Sequence, residues 1–185
     1  MPRVIGLDTS LTGTGMVRVD RKPTGNTWVS TSRLIKSKSG DGSHLFTSRR
    51  IKAIVDEIST ELDLLPTLVV IEAPAFSRVG GHNHDRSWLW GKVFDACVDR
   101  GIPIIAPTTN QRMQYATGKG QADKDVVLAA TIRRYPSAEV TNNNIADALL
   151  LAAIGCRFLG LPIDDVPPTH YIAKKGGNWI EKFAA

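Results

Sequence analysis

Ile145-Ala146-Asp147-Ala148-Leu149-Leu150-Leu151-Ala152-Ala153-Ile154 is a helix-length run that is apolar on every face except for one carboxylate. A helix of that composition is buried. An ionised, unpaired carboxylate inside it would cost several kcal/mol even after relaxation, so Asp147 needs a partner. Two kinds of partner meet that need: a Lys or Arg in a buried ion pair, or a metal ion shared with other acids. Asn144 stands one helical turn earlier on the same face, so both side chains can reach one centre. Because Asn142-Asn143-Asn144 opens the helix, N-capping is the alternative role for Asn144.

Upstream of this helix, further acids end apolar strands. Residues 3–8, Arg-Val-Ile-Gly-Leu-Asp, form a strand that closes on Asp8, and Leu68-Val69-Val70-Ile71-Glu72 is a continuous apolar run that closes on Glu72. Taken singly, each is a solvated strand end. Together they place two carboxylates at the carboxyl edge of one sheet, where open α/β sheets bind their ligands. Three acids and an amide oxygen, from Asp8, Glu72, Asp147 and Asn144, make a hard all-oxygen donor set suited to Mg²⁺ or Mn²⁺ and not to zinc. His82 and His84 lie in a Gly-rich loop, read as surface residues, and no His–Cys zinc spacing exists. A pair of divalent ions about 3.5 to 4 Å apart activates a water and stabilises the leaving oxygen in phosphodiester hydrolysis.

The rest of the chain completes an α/β pattern. Thr12-Gly13-Thr14-Gly15 reads as a turn leading into a period-two strand over 16–20, and a third strand covers 27–35. Apolar residues from Leu45 to Leu62 at three- and four-residue steps predict a helix that Pro66 ends. A loop over 75–85, a helix over 86–99 and a short strand over 102–106 follow, Pro103 marking that strand as an edge or marking its start. Helices are expected over 109–117, 122–134 and 144–159. This order gives one domain over residues 1–160, a mixed five-stranded sheet with antiparallel hairpins first, parallel strands after, and helices on both faces. Residues 161–185 read as a tail, surface-packed or loose.

Composition limits the function classes. The 185 residues are 42% hydrophobic and 22% charged, as in an ordinary globular chain. No apolar run reaches the roughly 18 to 20 residues needed to span a bilayer. The N-terminus enters a strand at once and does not read as a signal peptide, so a cytoplasmic location is expected. Cys97 and Cys156 both sit in apolar helical stretches, against a disulfide framework. The formal charge of +5 suits a polyanionic partner, with arginines and lysines spread along the chain.

The motifs Ile5-Gly6-Leu7-Asp8-Thr9-Ser10-Leu11-Thr12-Gly13-Thr14-Gly15, Val69-Val70-Ile71-Glu72, Gly118-Lys119-Gly120-Gln121-Ala122-Asp123-Lys124 and Asn144-Ile145-Ala146-Asp147-Ala148-Leu149 occur in this order. In that arrangement the sequence resembles the RuvC-type Holliday-junction resolvases of the ribonuclease-H-like superfold, in the compact form carried by bacteriophages. The resemblance covers residues 3 to about 160. It implies a metal-dependent endonuclease for branched DNA (four-way junctions, forks or flaps), acting as a homodimer in the host cytoplasm with Mg²⁺, or Mn²⁺ as substitute, two ions per site. It makes Asp8, Glu72 and Asp147 metal-binding catalytic acids and Lys124 a phosphate contact or charge stabiliser, a solvated helix end being the alternative for Lys124.

The position of Asn144 is usually acidic in the family, sometimes histidine, so this chain carries one negative charge fewer there. Phe76 falls where the family places an aromatic that stacks on a base, with a loop anchor as the alternative. Arg78, Arg86 and Lys119 are implied as phosphate contacts, and the helix with Trp88, Trp90, Val93 and Phe94 as the dimer element, core packing accounting for some of these. Two other functions remain open: a module that binds branched DNA without cutting it, and a ribonuclease H acting on RNA–DNA hybrids. The phosphate loop of sugar kinases and actin-like ATPases, which Asp8 to Gly15 also resembles, is set aside because their duplicated core does not fit the length.

Overall fold

Period-two alternation in β1 (Arg3–Asp8) sends Ile5 and Leu7 into one apolar layer, and Val4, Gly6 and Asp8 toward the other. The structure, a computed structural model, describes residues 1–22, 27–74 and 83–170. Around β1 run β2 (Gly13–Arg21), β3 (Trp28–Lys36), β4 (Leu68–Ile71) and β5 (Ile104–Ile105), in the sheet order β3-β2-β1-β4-β5. The β1–β2 and β2–β3 pairs are antiparallel, and β1–β4 and β4–β5 are parallel. The mixed sheet expected from the sequence is therefore present.

Helices α1 (His44–Leu62) and α2 (Asn83–Val98) cover the Ile5–Leu7 face. Helix α1 turns Ile51, Ile54, Ile58 and Leu62 inward, and Ser43 caps it by accepting the Phe46 N–H at 3.1 Å. Helices α3 (Thr109–Thr117), α4 (Lys124–Arg134) and α5 (Asn143–Phe158) cover the opposite face, with α5 at its centre. As its composition demands, α5 is buried over nearly its whole length. Among the described residues, no helix is long and apolar enough to cross a membrane. Cys97 and Cys156 are free thiols buried on opposite sides of the sheet.

Four details differ from the sequence reading. Gly13, Thr14 and Gly15 are not a turn but the first residues of β2, and the two glycines lack a side chain because Asn144 approaches them closely, as described below. Helix α2 starts at Asn83, before the expected 86. Strand β5 is two residues long: Pro103 and Pro107, having no N–H, contribute only carbonyls, to Val69 and Ala73 at 2.9 Å each. Finally, Asn142 caps α5 by accepting the Ile145 N–H at 3.1 Å, so the capping role considered for Asn144 belongs to its neighbour.

Residues 161–170 are fastened to the core. The buried Asp164 carboxylate accepts hydrogen bonds from the hydroxyls of Tyr115 (2.8 Å) and Tyr135 and from Arg157 (2.8 Å). The chain then ends its described course in a 3-10 turn, Pro168–His170. Phe76, Arg78, His82 and residues 171–185 lie outside the described residues.

Candidate active site

The site is built by backbone packing before any side chain meets another. Asp8 and Gly15 are Cα partners in the β1–β2 pairing. A Cβ placed on Gly15 would fall 2.0 Å from the Asn144 carbonyl oxygen, and one on Gly6 2.0 Å from the Ala148 carbonyl oxygen. Helix α5 thus rests directly on the backbone of β1 and β2, a contact only glycine permits. That contact delivers Asn144 and Asp147 beside Asp8. Glu72 follows β4 by one residue and its N–H reaches the Leu7 carbonyl at 3.2 Å, which sets it next to the end of β1. Asp8, Glu72, Asn144 and Asp147 consequently line one cleft of about 350 Å³ at the carboxyl edge of the parallel strands.

The cleft also brings in residues that the sequence did not single out for it. Arg112, in the second turn of α3 and with its side chain 8% exposed, donates through Nε to Glu72 and through Nη1 to Asp147. The Thr109 hydroxyl donates to the other Glu72 oxygen at 2.7 Å, and Trp90 Nε1 donates to the Glu72 carbonyl at 3.0 Å. The ion-pair alternative for Asp147 is therefore the contact found, with Arg112 as its partner. A signal for Arg112 existed in Thr108-Thr109-Asn110-Gln111: Thr108 and Gln111 form a reciprocal capping box that starts α3 just after β5, at the same sheet edge.

Not every expected residue joins the cleft. Lys124, first residue of α4, and Arg86, in α2, both line it and are exposed. Lys119 is exposed in the turn between α3 and α4 and is not part of the lining. His84 is exposed on α2 and is not part of the lining. The Asn144 amide donates through Nδ2 to the Gly13 carbonyl at 2.7 Å, tying α5 to β2 and leaving its Oδ1 as the atom available for a ligand. Trp88 is partly exposed, and Trp90 stacks on Phe94 with ring centroids 5.0 Å apart.

Electrostatically the cleft sets the carboxylates of Asp8, Glu72 and Asp147 against the cations of Arg86, Arg112 and Lys124. Burial, reinforced by Asp147 and Glu72, pushes the Asp8 carboxyl up to about 7, although Arg112 and Lys124 pull the other way. Burial likewise pushes Asp147 up to about 6, against the pull of Arg112. The Asp8 carboxylate has no hydrogen-bond partner among the described residues. As they stand, no three acid, His or Cys side chains among the described residues are grouped to hold a metal ion. Arg112 bridges two of the three acids. The donor chemistry nevertheless fits a hard divalent cation: carboxylate oxygens on rigid elements, with Asp8 raised in pKa and unpaired.

No protein-family model matches the sequence. Solved structures do resemble it. Thermus thermophilus RuvC matches at a TM-score of 0.67 and 22% identity, over 86% of this chain and 97% of that one. The same protein in complex with a Holliday junction substrate matches at 0.69 and 22%, over 87% and 98%. The fold is that of the RuvC resolvases. Fowlpox virus resolvase, solved with Holliday junction DNA, shares the RuvC-like fold more distantly, at 0.54 and 14% identity over 85% of this chain and 98% of that one.

Proposed function

We propose that this chain is a divalent-cation-dependent endonuclease that cuts branched DNA, with four-way junctions as the leading substrate and forks or flaps as related ones. The observation that carries the proposal is the convergence of Asp8, Glu72 and Asp147, from β1, the end of β4 and α5, in one cleft of a RuvC-like fold. These acids would hold Mg²⁺, or Mn²⁺ in its place, with Asn144 Oδ1 as a neutral donor. Such a cation, once bound, lowers the pKa of a water and stabilises the leaving oxygen.

The protein's own groups do the rest. Lys124 and Arg86 at the cleft wall attract and orient the scissile phosphate without reading sequence. Thr109 and Trp90 fix the Glu72 carboxylate and its backbone, so that this donor is held before DNA arrives. Lys119 extends the cationic surface beyond the cleft, and Arg78 and Phe76 add a phosphate contact and a base stack on the sequence resemblance alone. A homodimer formed through α2, with Trp88 exposed for that purpose, would present two such clefts to symmetric strands.

One observation favours a second reading. Arg112 satisfies Asp147 and Glu72 internally, as expected of a module that binds branched DNA without cutting it. Against that reading stands Asp8, whose carboxyl burial raises to about 7 and which has no hydrogen-bond partner among the described residues. Labelled four-way junctions, forks, flaps and linear duplex incubated with Mg²⁺, Mn²⁺ or EDTA separate the two. Cutting of branched DNA that EDTA abolishes, and that Asp147→Asn reduces to background while junction binding persists, is expected. Tight binding without cutting under every condition selects the module, and cleavage by Asp147→Asn at the wild-type rate refutes the assignment of the acids.

A further inference from the structure

Arg112 is a buried cation placed where carboxylates would otherwise need a metal. Its guanidinium joins Glu72 to Asp147, and its side chain is almost fully excluded from solvent. Removing one member of such a buried ionic set leaves an uncompensated charge, so Arg112 is not a casual surface contact. Around the cleft the three carboxylates of Asp8, Glu72 and Asp147 face three cationic side chains, Arg112, Lys124 and Arg86, and the formal charge is balanced before any ion enters. One divalent ion with one phosphodiester leaves a single positive charge. A second ion would leave three positive charges in a half-buried cleft, where like charges repel strongly. Asn144, neutral and engaged with the Gly13 carbonyl, supplies no negative charge to offset them.

We propose that the guanidinium of Arg112 stands in for one of two cations, so that this cleft takes a single divalent ion, held on the side of Asp8. Resting on the nuclease reading, this gives Arg112 a positioning role: it holds Glu72 and Asp147 and fixes the number of ions. The probe is Mn²⁺ alone, its free concentration followed by electron paramagnetic resonance as the full-length protein is titrated. One ion per chain is expected for the wild type and two for Arg112→Gln, a change that loss of mere structural support would not produce. Two ions bound by the wild type, or one still bound by a folded Arg112→Gln, overturns the role of Arg112. Should Arg112→Gln not fold, the wild-type count decides alone. Two ions together with metal-dependent cutting of junctions would defeat this inference and leave the nuclease standing; no Mn²⁺ binding and no cutting would defeat both.

Discussion

Replacing Asp8 with Asn should stabilise the metal-free protein at neutral and alkaline pH while abolishing cleavage. The Asp8 carboxyl is raised from an ordinary 3.8 to about 7. Between those values the folded chain binds more protons than the unfolded one, so wild-type stability falls as pH rises through that window. At about 1.4 kcal/mol per pH unit the penalty above pH 7 is at most about 4 kcal/mol. Residual solvent access brings the expected gain for Asp8→Asn to about 1–3 kcal/mol, the attraction to Arg112 and Lys124 being already contained in the raised value. Urea unfolding in EDTA, followed by tryptophan fluorescence, should place the variant above the wild type at pH 8. The difference should shrink toward pH 4, where the wild-type carboxyl is protonated in the folded state. With Mg²⁺ at about 100 times its dissociation constant the wild type regains about 2.7 kcal/mol that the variant cannot, and the order narrows or reverses. A variant no more stable at pH 8 in EDTA, or a gain independent of pH, would refute the claim that burial and the neighbouring acids raise the Asp8 carboxyl.

Three other perturbations bear on the same architecture. Gly15→Ala puts a Cβ into the Asn144 carbonyl and should destabilise by several kcal/mol with loss of cutting, whereas Gly91→Ala, with open space around it, should be harmless in thermal melts. Asn144→Asp removes the donor to the Gly13 carbonyl and adds a like charge one turn from Asp147; a loss of about 1–3 kcal/mol in EDTA is expected, recovered in Mg²⁺ with tighter metal binding. An unchanged metal titration would remove Asn144 from the site. Asp164→Ala leaves two tyrosine hydroxyls and Arg157 without their carboxylate and should cost about 3–5 kcal/mol, with cleavage unaffected well below the new melting point.

The acids of the site were legible because each breaks a pattern. Asp8 and Glu72 end apolar strands, and Asp147 interrupts an apolar helix, so burial could be inferred from sequence neighbours alone. Arg112 breaks no pattern: it sits in a short polar helix, and its burial follows only from α3 starting beside Glu72, a tertiary fact. Gly13 and Gly15 read as a turn in the sequence because a glycine signals either a bend or a close neighbour, and the neighbour here lies about 130 residues away in the chain. Capping fell to Asn142 and not Asn144 for a similar reason. Three consecutive asparagines offer equal local chemistry, and the choice is made by Asn144 binding the Gly13 carbonyl.

The seating of α5 on bare glycine backbone has a mechanical consequence. With no side chain between helix and sheet at Gly6 and Gly15, there is no compressible layer in which the helix could roll or slide. Asp8 and Asp147 are therefore joined as the two jaws of a tool cut from one block. Any opening or closing of this cleft on its substrate has to come from the opposite wall, where α2 presents the exposed side chain of Arg86.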